Sequence, residues 1–170
     1  MANVRDDPRE DQLMSDQLID KIIKALQSEL ETYIRAAKAS HQEATAEENR
    51  AENKYDTRGL EASYLAAGQA NKVAELEDAI GAFEDLKTKS FDDSSIDVGA
   101  LVELDQDGDK NFYFVGPCAG GTEIIAEARE VLVITPQSPL GSQMQGRQQG
   151  ERLALTLAGA KRQIQIVNVC

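Results

Sequence analysis

The chain of 170 residues contains no tryptophan, and aromatic residues make up 5% of it. A core assembled around stacked rings is therefore excluded, and helices packed at least partly through Ala and Leu are expected. Histidine occurs once, at His41, and cysteine twice, at Cys118 and Cys170. Two cysteines so far apart form no metal-ligand spacing, and both are expected as reduced thiols. No apolar run approaches the roughly 18 residues of a membrane span. Met1 to Asp16 is polar and acidic and lacks the apolar stretch of a secretory signal, so a cytoplasmic location is expected. Positive charge is also scarce: 18 basic residues face 30 acidic ones, a net of −12. A chain of this sign is a poor free-standing nucleic-acid binder, because phosphate contacts need clustered Lys and Arg. Hydrophobic residues at 41% are enough for a packed core.

The first half has the grammar of helix. From Ser15 to about Tyr55 there is neither Pro nor Gly. Leu18, Ile19, Ile22, Leu26, Leu30, Tyr33 and Ala37 recur at steps that draw one apolar stripe along a helix. A second periodic segment, from about Leu60 to Leu86, carries Ala62, Ala66, Val73, Leu76, Ile80 and Phe83. The last four follow the spacing of a coiled-coil seam. Between the segments, Tyr55 to Gly59 offers a glycine for the reversal and Asp56 or Thr57 as a helix cap. The segments should fold back as an antiparallel hairpin. Alanines crowd both arms near the bend and would make that end slender. An arm of about 35 residues would be roughly 50 Å long.

The second half changes period near Phe91. Strand-like runs are expected at Ala100 to Leu104, Asn111 to Val115, Val131 to Thr135, Leu153 to Leu157 and Gln163 to Val169. Asp105 to Lys110 reads as a hairpin turn, Gly120-Gly121 as another turn, and Pro139 to Arg147 as one short helix. The fold class is therefore α+β. A helical hairpin leads to a small, mostly antiparallel sheet with a helix against one face. The expected organisation is a flexible leader over residues 1–14, the hairpin over 15–89 and the sheet domain over 90–170.

Few residues advertise chemistry. Asp105-Gln106-Asp107-Gly108-Asp109 has its glycine at position 4 rather than 6 and strands on both sides, so a solvated turn is preferred over a calcium loop. His41 has no partner motif and is expected on a helix surface. Cys118 has no catalytic signature around it. The glycines at 116, 120 and 121 lack the Lys and Ser or Thr of a phosphate loop. The bend is the remaining constellation: Glu47, Glu48, Glu52, Asp56 and Glu61 interleave with Arg50, Lys54 and Arg58. Such a run is commonly a salt-bridged surface. Two carboxylates on a thin rod also suit Mg²⁺, which takes one or two of them with water and phosphate completing its shell.

Several segments in order resemble the Gre family of bacterial transcript-cleavage factors. Phe112 to Pro117 resembles a family strand ending in Val-Gly-Pro. Val133 to Gly141 resembles a strand and loop with Ser-Pro-Leu-Gly. Gly146 and Gly150 follow at similar spacing, and Ile164 to Val169 resembles the final strand. Tyr64 to Ala67 and Val73 to Glu77 resemble the second hairpin arm. The resemblance implies an N-terminal coiled coil and a C-terminal FKBP-like domain that docks on RNA polymerase, with Ser138, Pro139, Leu140 and Gly141 as docking residues. It implies an accessory factor, monomeric and not itself an enzyme. The coiled coil would enter the polymerase's secondary channel and help its active site hold Mg²⁺ to cut backtracked RNA at the 3′ end. Asp56 and Glu61 would be the metal-assisting carboxylates, supplied in trans, and Arg50, Lys54 and Arg58 would contact RNA or the channel wall.

The bend departs from the family pattern. Family members place Asp and Glu three residues apart and follow them with Asn; here Asp56 and Glu61 are five apart, and Ala62 follows. That difference motivates an alternative, a secondary-channel regulator of the same shape that does not stimulate cleavage. A third option, an FKBP-like isomerase or chaperone with a helical dimerisation arm, has only Phe112, Tyr113 and Phe114 to offer as pocket aromatics. Charge is distributed to match an inserted rod. Lys21 to Lys89 holds ten basic and thirteen acidic residues, so most of the net charge lies elsewhere.

Overall fold

The computed structural model describes residues 8–45, 58–87, 95–157 and 160–170. Two long helices come first, α1 (Pro8–Thr45) and α2 (Arg58–Lys87). Helix α1 begins earlier than the sequence reading placed it and takes in residues 8–14, assigned there to the leader. Pro8 opens the helix, where a residue without an N–H loses no bond and its fixed φ suits the first turn. The described chain divides into two compact units. One joins the residues up to Ile23 with those from Ala82 onward, and the other is Lys24–Gly81.

The Lys24–Gly81 unit is an antiparallel helix pair. Near its middle Lys72 Nζ stands 4.0 Å from a Glu29 carboxylate oxygen. Nearer the bend Ser40 Oγ donates to Gln69 Oε1 at 3.0 Å. The seam buries Leu26, Ala62, Leu76 and Ala79, with Leu30, Tyr33, Ala37, Ala66 and Val73 half-buried. Ser40 is the one buried polar residue among those described.

The other unit sets the feet of both helices against a six-stranded sheet. The strands are β1 (Leu101–Gln106), β2 (Asp109–Val115), β3 (Glu123–Ala126), β4 (Arg129–Ile134), β5 (Arg152–Leu157) and β6 (Ala160–Val169). Their spatial order is β3-β4-β2-β1-β6-β5. Alternation divides the sheet's side chains between its faces. On one face Phe114 lies against Phe83 of α2, ring centroids 6.4 Å apart, and both are fully buried. On the other, Val102, Leu104, Val115, Ile134, Leu153, Ile164 and Ile166 form a core with Met144 of the short helix α3 (Gly141–Met144). Gly116 sits where a Cβ would come within 2.9 Å of both Phe83 and Val133, so only glycine lets the α2 foot close on the sheet there. Lys21 of α1 donates to the Ile125 carbonyl at 3.0 Å and so covers part of the edge strand β3.

The α+β class and the mostly antiparallel sheet agree with the sequence reading. Strand β3 was not expected, and one neighbouring pair, β2 with β4, is parallel. The two are linked. The β3–β4 hairpin folds back with β4 innermost, which aligns β4 with β2. The expected helix over 139–147 is shorter, with regular helix only at Gly141–Met144 and Gly146 at φ 76° beyond it. The acidic loop is a two-residue hairpin turn as expected. Asp107 and Gly108 both have positive φ, and the Asp105 carboxylate accepts the Gly108 N–H at 2.9 Å.

Candidate functional site

Two segments well separated in sequence meet at one end of the sheet. Because β2 and β4 run in the same direction, Gly116-Pro117 and Thr135–Gly141 leave the sheet side by side. The Gly116 N–H donates to the Ile134 carbonyl at 2.8 Å, continuing the ladder one residue beyond the strand. The 116–122 loop is then fixed on the same support. Gly121 donates to Val133, Val133 donates to Thr122, and the Thr122 hydroxyl and N–H both donate to the Ala119 carbonyl.

The Thr135–Gly141 loop is held by its own groups. The Thr135 carbonyl accepts the Ser138 N–H at 3.0 Å and the Ser138 hydroxyl at 2.7 Å. The Ser138 hydroxyl oxygen accepts the Gly141 N–H at 3.0 Å, and its carbonyl accepts the Ser142 N–H at 2.9 Å. Leu140, before the helix, provides no side-chain cap, so Ser138 satisfies an opening N–H of α3 instead. Gly141 is required for space: a Cβ there would lie 2.0 Å from the Thr135 oxygen.

The four expected docking residues thus have different local roles. Ser138 and Gly141 shape the loop, Leu140 packs half-buried on the core, and Pro139 is exposed. Gln137, Ser142 and Gln143 are the exposed neighbours of Pro139. Cys118 lies in the adjoining loop. Burial pushes its thiol up, which keeps it protonated at neutral pH and a weak nucleophile. Neither cysteine is in a disulfide.

The aromatic cluster of β2 does not form one pocket wall. Phe114 faces α2, Tyr113 packs toward the opposite core, and Phe112 carries the Arg129 guanidinium 4.9 Å above its ring. A groove of about 440 Å³ borders Phe112, Tyr113 and Leu132, but Lys110, Arg129, Glu123 and Glu130 line it too. This mixture of charges differs from the aromatic lining expected of a proline binder. The Phe-Tyr-Phe run was legible in the sequence; Arg129 carried no signal there.

The bend is described only at its α2 side. Arg50, Lys54 and Asp56 lie outside the described residues. Arg58 opens α2, and Glu61 falls in the helix's first turn, exposed, where the helix dipole favours a carboxylate. His41 is exposed on α1. Among the described residues no group of three or more His, Cys, Asp or Glu is placed to hold a metal ion. No described helix is long and apolar enough to cross a membrane.

No protein-family model and no curated protein matches the sequence. Solved structures do match. The GreA factor homolog 1 (Gfh1) of Thermus thermophilus is 21% identical, over 87% of this chain and 94% of that one, with a TM-score of 0.36. Gfh1 of Thermus aquaticus is 21% identical over 86% and 92%, with a TM-score of 0.38. A prokaryotic transcription elongation factor GreA/GreB from Nitrosomonas europaea is 15% identical over 68% and 94%, with a TM-score of 0.36.

Proposed function

We propose that this chain is an accessory factor of RNA polymerase, docking through the β2–β4 end of its sheet and inserting its helical hairpin into the secondary channel. One observation carries the reading. The two segments that most resemble Gre factors, Phe112–Pro117 and Val133–Gly141, are 21 residues apart at their starts yet share a parallel strand pair and leave it together. A loop held by its own hydrogen bonds presents Pro139 in a fixed position, which lowers the entropy lost on binding. The helix pair next to it in sequence has the exposed, antiparallel form that a narrow channel admits.

In this reading the factor stimulates the polymerase's own cleavage of backtracked RNA. Asp56 and Glu61 are the carboxylates offered to the polymerase-held Mg²⁺, hard oxygen donors of the kind that ion prefers. Bound there, the ion would activate water and stabilise the leaving oxygen. Glu61 sits at the start of a helix, so its backbone is fixed while its carboxylate is exposed. Arg50, Lys54 and Arg58 are the contacts to RNA or channel wall. A polymerase partner places the protein in the cytoplasm, acting as a monomer. The five-residue spacing of Asp56 and Glu61 favours a second reading, a regulator that occupies the channel without promoting cleavage.

Backtracked polymerase complexes mixed with the protein and Mg²⁺ separate these readings. Release of RNA 3′ fragments that is lost in Asp56→Ala and Glu61→Ala supports the first. Polymerase binding without release supports the regulator. Release that survives both substitutions would sink the carboxylate assignment, and absence of polymerase binding would remove both readings.

A further inference from the structure

Among the described residues four large apolar side chains are more than half exposed: Leu60 at 56%, Tyr64 at 70%, Leu65 at 56% and Ile125 at 73%. Three of the four fall within six residues at the start of α2. Single exposed apolar residues are ordinary, but a cluster on one helix end marks a contact surface. The direction of the cluster follows from helical spacing. Ala62, Gln69 and Leu76, seven apart, face α1: two are buried, and Gln69 accepts the Ser40 hydroxyl. Leu60 and Tyr64, four apart, therefore project on the opposite side, and Leu65, about 100° round the helix from Tyr64, lies between that side and the seam.

The surrounding surface is uncharged. From Ala62 to Asn71 there is no Asp, Glu, Lys or Arg, in a chain where such residues make up 28%. Ser63, Ala67, Gly68 and Asn71 are exposed beside the cluster, all small or neutral. Charge and area restrict what can cover this face. The charged residues that precede it on the helix are Arg58 and Glu61, one of each sign, and the stretch itself offers no cation to a phosphate. A second copy is poorly served. The three side chains expose roughly 350 Å², taking large side chains at 150–250 Å² each. A stable interface needs about 800 Å² per partner. A patch of this size adds to a complex already held elsewhere, against a neutral protein wall.

We infer that Leu60, Tyr64 and Leu65 form an uncharged contact face by which the first turns of α2 seat on an apolar protein wall of RNA polymerase. This rests on the polymerase reading above and assigns the seating of the hairpin to α2 side chains outside the acidic set. The test uses the full chain and core RNA polymerase without nucleic acid, with affinity measured by fluorescence anisotropy. Tyr64→Ser is expected to weaken binding on the order of fivefold, and the triple variant Leu60→Ser, Tyr64→Ser, Leu65→Ser on the order of 30-fold, from apolar burial of a kilocalorie or less per side chain. Tyr64→Phe should bind within about twofold of the parent, since the ring and not the hydroxyl makes the contact. Circular dichroism at 222 nm monitors the hairpin, and an exposed position should leave it unchanged. Equal affinity of parent and triple variant for core polymerase would overturn the inference while the polymerase reading stands. A loss seen only when an RNA 3′ end occupies the channel would assign Tyr64 to base stacking instead and equally overturn it. So would a parent dimer in sedimentation that the triple variant lacks. Failure of the parent protein itself to bind polymerase would overturn the functional reading first.

Discussion

Gly141→Ala should be the most damaging single-methyl change in the sheet unit, and its cost can be worked from the Thr135 carbonyl. A Cβ at Gly141 would stand 2.0 Å from that oxygen and 2.9 Å from Ser138 Oγ. Carbon–oxygen contacts are comfortable near about 3.3 Å, so more than an ångström must be found. If the carbonyl swings away, it abandons the Ser138 N–H and hydroxyl that it accepts, at about 1 kcal/mol each. If it stays, the overlap costs about 1–3 kcal/mol, as overpacking usually does. The first route costs about 2 kcal/mol and the second about 1–3 kcal/mol, so a loss of about 2 kcal/mol is predicted. Gly146→Ala is the internal comparison. Its Cβ would meet nothing, but its φ of 76° is left-handed, and that strain alone costs about 1 kcal/mol. Urea titrations followed through the amide resonances of β2 and β4 read both variants locally. With a slope near 2 kcal/mol per molar, Gly141→Ala should lower the midpoint by about 1 M and Gly146→Ala by about 0.5 M. Ser138→Ala and Gly141→Ala act on the same carbonyl, so the double variant should cost less than the two single losses added together. A Gly141→Ala loss no larger than that of Gly146→Ala would refute the reasoning.

Three further outcomes follow from other parts of the molecule. Gly68 and Gly81 lie inside α2, and a Cβ at either meets nothing, so Gly68→Ala and Gly81→Ala should each stabilise the helix pair by about 0.5–1 kcal/mol, read by thermal melting at 222 nm. The β3–β4 turn holds Glu127 at φ 49° and Ala128 at φ 60°, where Asn-Gly is the favoured pair; replacing both should raise stability by about 1–2 kcal/mol in urea unfolding. The Glu151 carboxyl is held below the ordinary glutamate range, first by the hydrogen bond from Arg147 and then by the Gln148 N–H. Its contribution is therefore present above the unfolded pKa and fades as pH falls through the folded one. Glu151→Gln should flatten that part of the acid limb, and an unchanged acid limb would count against the linkage.

Much of this fold was legible because local rules and tertiary packing agreed. The apolar stripe from Leu18 to Ala37 lies on the buried or half-buried side of α1, and Leu76 is buried in the seam as its spacing required, whereas Phe83 is buried against Phe114 of the sheet. Asp107-Gly108 is a turn sequence whose geometry follows from its two residues alone. Strand β3 escaped notice because Glu-Ile-Ile-Ala is short and its apolar residues do not alternate: Ile124 is buried while Ile125 is exposed. Its partner is chosen by the β3–β4 hairpin, and the parallel pairing of β2 with β4 by contacts distant in sequence. The loop chemistry of Ser138 was hidden for a different reason. Its partners are backbone groups, which every residue carries. Arg50, Lys54 and Asp56 lie outside the described residues, so the resemblance remains their ground.

The hydrogen bond between Ser40 and Gln69 has a consequence for how the hairpin measures length. Near Ser40 the seam is built from small residues, the half-buried Ala37 and Ala66, whose contacts distinguish poorly between one turn and the next. A single polar pair distinguishes them. Moving α1 along α2 by one turn, 5.4 Å, would set the buried Ser40 hydroxyl against Ala66 or Val73 rather than Gln69. An unsatisfied buried group costs about 1–3 kcal/mol, more than the alanine contacts distinguish. Ser40 and Gln69 thus act as an index mark, as a lone polar pair can in a coiled-coil seam. They fix which turn of α1 meets which turn of α2.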